Sequence, residues 1–119
     1  MNLLIKKLFG SILISFFLFS TFLIYSNQLL ALNNSKGEKL FLEHCSGCHV
    51  NGGNIIRRNK TLKISALKRN GLDNPEAIAK VARNGIGNMS GYKKVLGEEG
   101  DKIVANWIWE QSQKAWVQG

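Results

Sequence analysis

The hydrophobic pattern divides the chain in two. From Leu8 to Tyr25 apolar residues dominate 18 positions without a charge, following a basic pair at Lys6 and Lys7. Polar residues return at Ser26 and Asn27, and Ala31 offers a small residue at a cleavage point. That layout predicts a secretory signal peptide over residues 1–31. Leu29, two before Ala31, is bulkier than such a site prefers, and the run is just long enough to span a bilayer. An uncleaved anchor is therefore the alternative.

From residue 32 onward the pattern is helical and interrupted. Ser35-Lys36-Gly37-Glu38 fits a capping box and predicts a helix start, with Leu40, Phe41 and Leu42 carrying an apolar stripe toward Cys45. Gly37 and Phe41, four apart, share one face. A glycine there weakens the helix, which predicts close approach of a second one. Asn51-Gly52-Gly53-Asn54 predicts loop. A short helix is expected around Ser65 to Arg69, ending at Asn70-Gly71. Asn74-Pro75 opens the next, with Asn as cap and the proline at the first helical position. It runs through Ile78 and Val81 and stops near Asn84-Gly85, where glycine can take a left-handed cap. Ile86 to Gly91 reads as a glycine-containing loop carrying Met89. A last helix is expected from Glu98 to Gln113, with acids in its first turn and Ile103, Val104, Trp107 and Ile108 facing inward. Trp107 and Trp109 fall on different faces of it; with Trp116 and Tyr92 they read as core or cofactor-packing residues. No strand pattern, repeat or low-complexity tract is visible over 32–119. The expected fold class is all-α, small and irregular.

Composition sharpens this picture. The 119 residues suffice for one domain, and removing the leader leaves 88, a length whose thin core needs a disulfide, metal or cofactor. A buried porphyrin would fill that need; the two cysteines, both in one pentapeptide, cannot form a disulfide framework. The net charge is +8, or +6 without Lys6 and Lys7. Arg57, Arg58, Lys60, Lys63, Lys68 and Arg69 lie together without an intervening acid, whereas acids gather at Glu98, Glu99 and Asp101. Such a positive region favours an acidic partner or an anionic surface. No nucleic-acid motif accompanies it, and the export layout argues against a nucleic-acid partner.

The decisive motif is Cys45-Ser46-Gly47-Cys48-His49, a C-x-x-C-H run. In an exported chain this reads as the attachment site of haem c. Two thiols on one turn can each add across a haem vinyl group, and the next residue's imidazole then projects onto the iron. A redox dithiol would need a βαβ context, and two thiols with one histidine do not complete a zinc shell. His44, one residue before Cys45, is too near to reach the opposite haem face and reads as an exposed helical histidine. Met89, forty residues after His49, is the one methionine besides the initiator and sits in a glycine-containing loop with no helical stripe to serve. A lone methionine is otherwise a core filler. A thioether suits iron that cycles between ferrous and ferric, and His/Met ligation fills both axial positions, leaving outer-sphere electron transfer. Asn54, Lys60 and Thr61 are candidates for hydrogen bonds to haem propionates or to the loop backbone; Arg83 reads as solvated or as a partner contact.

The chain resembles the class I c-type cytochromes, and most of all the cytochrome c6 group. The resemblance rests on Gly37-x-x-x-Phe41, the haem motif, Gly52-Gly53-Asn54, Lys60-Thr61-Leu62, Asn84-Gly85 before Met89, Ile103-Val104-Ala105, Trp107 and Trp116. It implies about four helices around one covalently attached haem, with Gly37 and Phe41 meeting the face around Trp107. It further implies His49 and Met89 as axial pair and a monohaem electron carrier, not an enzyme, of the thylakoid lumen or periplasm. Its partners would be acidic redox proteins: a cytochrome b6f-like membrane complex as donor, a photosystem or terminal oxidase as acceptor. Two positions depart from the family: Ser90-Gly91-Tyr92 stands where Pro-Ala and an aromatic usually follow the methionine, and Ile86 replaces a lysine. Both bear on redox potential and partner choice. Rival readings are a membrane-tethered haem subunit or haem sensor, and a small peroxidase or gas-binding protein with an open sixth position.

Overall fold

The computed structural model describes residues 2–114 and 116. Seven elements follow one another: α1 (Leu3–His44), α2 (Ile64–Arg69), α3 (Pro75–Asn84), β1 (Gly85–Ile86), β2 (Met89–Ser90), α4 (Lys93–Leu96) and α5 (Gly100–Gln113), with a 3-10 turn at Val50–Gly52. The chain divides into two units, Met1–Leu32 and Asn33–Gly119.

The first unit is helical from Leu3 and exposes its apolar side chains, Phe16, Phe17 and Phe22 among them. Its polar groups turn inward on the helix. Ser20 Oγ and Thr21 Oγ1 donate to Phe17 O and Leu18 O at 2.9 Å, and Asn27 Nδ2 donates to Leu23 O at 3.0 Å. Bonds of this kind let a helix carry polar side chains in apolar surroundings. By length and composition α1 is apolar enough to cross a bilayer, with a mean hydropathy of 2.1 over its most apolar 18-residue window.

In the second unit α1 is already helical at Asn33 and Asn34, so Ser35 does not open it. Residues 11–34 hold no glycine or proline that would interrupt a helix, and a capping box has nothing to cap while its upstream turn persists. The crossing foreseen at Gly37 is present. A Cβ there would lie 2.6 Å from Trp107 Cβ and 2.9 Å from Ile103 O, so only a bare glycine admits α5 this close. Phe41, fully buried, sits 4.9 Å from the Trp107 ring and 5.3 Å from Trp116, while the two indoles meet edge-on at 5.8 Å. Such aromatic pairs contribute beyond their buried area. Trp116 also donates its indole N–H to Leu62 O at 3.0 Å and lies flat on Gly52, where a Cβ would intrude to 2.3 Å.

α3 packs along α5, with Ile78, Ala79 and Ala82 sharing one core with Val104, Ala105 and Ile108. Its start is the one foreseen: Asn74 Oδ1 accepts from Ala77 N at 2.9 Å and Pro75 occupies the first position. Gly85 ends it at φ +76°. The loop expected over 86–91 is a minimal antiparallel hairpin, Gly85 opposite Ser90 and Ile86 opposite Met89. The four-residue α4 was not expected. The last helix begins at Gly100 rather than Glu98, because Glu99 takes a left-handed φ of 64° and interrupts the turn. The fold is all-α apart from that hairpin, with five α-helices among the described residues where about four were expected around the haem.

Candidate functional site

α1 ends at His44, and the chain keeps turning: Cys45 N bonds Phe41 O at 2.8 Å, and Cys48 N and His49 N both reach Cys45 O, at 3.1 and 2.9 Å. These turns bring Cys45, Cys48 and His49 to one side of a cavity of about 470 Å³. Met89, set by the hairpin, lines the same cavity. Four residues singled out from sequence therefore line one pocket.

His49 is buried, and its Nδ1 lies 2.8 Å from Gly53 O. A carbonyl only accepts, so Nδ1 carries the proton and the lone pair of the neutral ring is on Nε2. The backbone carbonyl thus fixes both tautomer and ring orientation, the arrangement that holds a histidine ready to ligate a metal. Gly52 N→His49 O at 3.0 Å and Gly53 N→Val50 O at 2.8 Å tie that carbonyl into the 3-10 turn. Cys48 is exposed and Cys45 half-buried. Burial, reinforced by the neighbouring Cys48, pushes the free Cys45 thiol up to about 11.

The walls are apolar, with Leu67, Leu72, Ile78, Val81, Ala82 and Ile108 contributing from α2, α3, α5 and the loop between α2 and α3. The rim is basic and amide-rich. Asn54 Oδ1 accepts from Ile56 N at 2.9 Å and Arg57 N at 2.7 Å, while its Nδ2 donates to Lys60 O at 3.0 Å, so Asn54 organises the loop backbone. Lys60 Nζ donates to Asn70 Oδ1 at 2.5 Å, and Asn70 Nδ2 returns to Ala66 O at 2.7 Å. Thr61 lines the pocket beside them. Asn70 was read as a helix stop; only the fold brings it to the rim, ten residues from Lys60. Arg57 completes the rim, and among the described residues lining the cavity there is no carboxylate. A flat, apolar, dianionic group such as a porphyrin with two propionates matches a pocket with apolar walls and a basic rim.

Two expectations need correcting. His44 is not an exposed histidine: at the end of α1 it is half-buried, lies 3.9 Å from Glu43 and lines the same cavity as Cys45, Cys48 and His49, so the cavity shields it. Arg83 is not simply solvated. Its Nε donates to Asp101 Oδ2 at 2.7 Å, and its Nη2 donates to the same oxygen. Asp101 is buried. Burial alone would raise its pKa, yet Arg83's hydrogen bonds and charge, with the N–H groups of Lys102 and Asp101, hold it below the ordinary carboxylate value.

A family model described as cytochrome c oxidase, cbb3-type, subunit III matches residues 33–108. A cytochrome c6-like protein of Nostoc sp. strain PCC 7120 is 44% identical over 112 residues, covering 93% of this chain and 98% of that one. The chain belongs to the cytochrome c family. Its relatives of matching length place it among the cytochrome c6-like members. The crystal structure of cytochrome c6B from Synechococcus sp. WH8102 superposes with a TM-score of 0.68 at 65% identity, over 71% of this chain and 96% of that one. Cytochrome c6C from Synechococcus sp. PCC 7002 follows at 0.64 and 46%, over 66% and 96%. With membership come a c-type haem as cofactor and electron transfer, rather than turnover of a substrate, as the activity. The pocket's size, lining and donor set fit that cofactor.

Proposed function

We propose that this cytochrome carries single electrons on one haem held by Cys45 and Cys48 through two thioethers, with His49 Nε2 and Met89 Sδ as axial ligands. The observation that carries the reading is the shared pocket: His49, oriented by Gly53 O, and Met89, set by the hairpin, line one cavity with both thiols. When bound, the haem supplies an iron that exchanges one electron between its ferrous and ferric states. The chain does the rest. Cys45 and Cys48 would hold the haem covalently, each supplying the sulfur of one thioether. Gly53 O keeps the imidazole in its ligating tautomer, and His49 and Met89 would together hold the iron. Arg57, Lys60 and Asn70 line the pocket and would meet the propionates.

Residues 1–31 then act as a signal peptide cleaved after Ala31, delivering residues 32–119 to a thylakoid lumen or periplasm. The donor is a cytochrome b6f-like complex and the acceptor a photosystem or terminal oxidase, with the basic segment from Arg57 to Arg69 meeting acidic surfaces. A second reading, a tethered haem subunit, is favoured by the bilayer-length apolar helix and by the oxidase-subunit family model. The mass of the mature N-terminus separates the two, since Leu32 as first residue removes the tether.

The ligand assignment is tested on purified holoprotein. The ferric form is expected to carry a sulfur-to-iron charge-transfer band that Met89→Ala abolishes, and ferrous wild type to resist carbon monoxide at neutral pH. Ready carbon monoxide binding by wild type would instead establish the open-site rival.

A further inference from the structure

Met89 lies on a segment whose two ends are tied by side chains. Arg83, in the last turn of α3, and Asp101, in the first turn of α5, are 18 positions apart, and their ion pair closes the base of the stretch that includes the hairpin and α4. The backbone contacts that seat the hairpin converge on the same turn of α3. Tyr92 N donates to Ala82 O at 2.9 Å. Gly91 rests against Arg83 itself, where a Cβ would come within 2.6 Å of Arg83 O. At Gly85 a Cβ would lie 2.3 Å from Met89 O, so the methionine's own backbone is packed against the residue that ends α3. The arginine whose backbone Gly91 packs against is thus held from its other end by a buried carboxylate.

We propose that the Arg83–Asp101 pair is a clasp that sets how often the Met89 segment swings away from the iron, making both of them positioning residues for the sixth ligand. This rests on the reading of Met89 as that ligand. For the thioether to leave, residues 84–100 must open locally, and the cost of local opening depends on the contacts at the base of the segment. The carboxylate of this pair is buried although Arg83 is open to solvent, so breaking the pair is costly because Asp101 is then left without compensation. The opposite face is independent of it: His49 is oriented by Gly53 O, in another loop. The clasp therefore acts on one axial ligand and not on the other.

The test is imidazole binding to the ferric holoprotein, a reaction that waits on departure of the native sixth ligand. Arg83→Gln is expected to accelerate it by about tenfold or more, with Asp101→Asn also faster, on the scale of a lost buried hydrogen bond to a charged group. Arg83→Lys, which keeps the charge, is expected to stay within about threefold of wild type. Amide hydrogen exchange over residues 84–96 should quicken in Arg83→Gln while that of residues 49–53 does not. Asn74→Ala, which weakens the start of α3 away from the clasp, serves as the control for general destabilisation and should leave the imidazole rate within about twofold. Arg83→Gln and Asp101→Asn at wild-type rates, with Met89→Ala much faster, would overturn the clasp alone. Met89→Ala at the wild-type rate would overturn the ligand assignment and the clasp with it. Should Arg83→Gln fail to load haem, Asp101→Asn decides, since it leaves no buried charge behind.

Discussion

A methyl group at residue 37 would meet Trp107 Cβ at 2.6 Å and Ile103 O at 2.9 Å, contacts that only a shift of α5 could relieve. Gly37→Ala is accordingly expected to destabilise the protein by ~1–3 kcal/mol, the usual range for overpacking, despite alanine's better helix propensity. Thermal melting of the holoprotein measures it. In the first turn of α5, the Arg83–Asp101 pair predicts an asymmetry. Arg83→Ala abandons a buried carboxylate and should cost ~3 kcal/mol or more; Asp101→Asn frees an arginine that can turn to water and should cost about 1–2 kcal/mol. The pair also sets a pH dependence. Asp101 titrates lower in the folded than in the unfolded chain, so between the two values the unfolded state binds more protons. Its stabilisation is complete above the unfolded value near 4 and is lost as pH falls through the folded one. Denaturation midpoints followed from pH 7 to below pH 4 should fall less steeply in Asp101→Asn than in wild type.

At the level of elements, what could be read from sequence was whatever is local. Asn74-Pro75 carries its capping instruction within four residues, and the structure follows it. Asn74→Ala should lower stability by about 1 kcal/mol, read from a urea midpoint. The Cys45–His49 turn is likewise local, so the cavity's thiols and imidazole were legible from their spacing alone. Gly37 and Phe41 announced a crossing from their spacing, and only the family resemblance named Trp107 as the residue they meet. The hairpin was not legible, since two strands of two residues each are shorter than any alternation that could reveal them. The clasp was hidden because nothing in the residues near Arg83 points to an aspartate 18 positions on. Asn70 reached the rim for the same non-local reason. At Ser35 a true local signal was overridden: the box is intact, but the turn before it is already helical. A chain cut after Ala31 would leave that box three residues behind its new terminus, where it could act as written.

For the molecule as a whole, charge is the property that outlasts any single contact. Arg57, Arg58, Lys60 and Lys63 are exposed next to the cavity rim, together with Ile55 and Ile56. Electron transfer to an acidic partner protein should slow as salt rises, because the Debye length falls from ~30 Å at 0.01 M to ~8 Å at 0.15 M. Reversing Arg58 and Lys63, which are exposed and do not line the cavity, to glutamate should lower the low-salt association rate about tenfold or more and flatten its salt dependence, as followed by stopped-flow. The haem spectrum should be unchanged in that variant, since neither Met89 nor His49 is touched.

Trp116 comes after every other buried apolar side chain among the described residues, yet its ring covers Gly52, beside the carbonyl that orients His49. Until Trp116 is made, the turn beneath the imidazole stays unroofed, so the setting of His49 waits on a side chain 67 residues downstream of it.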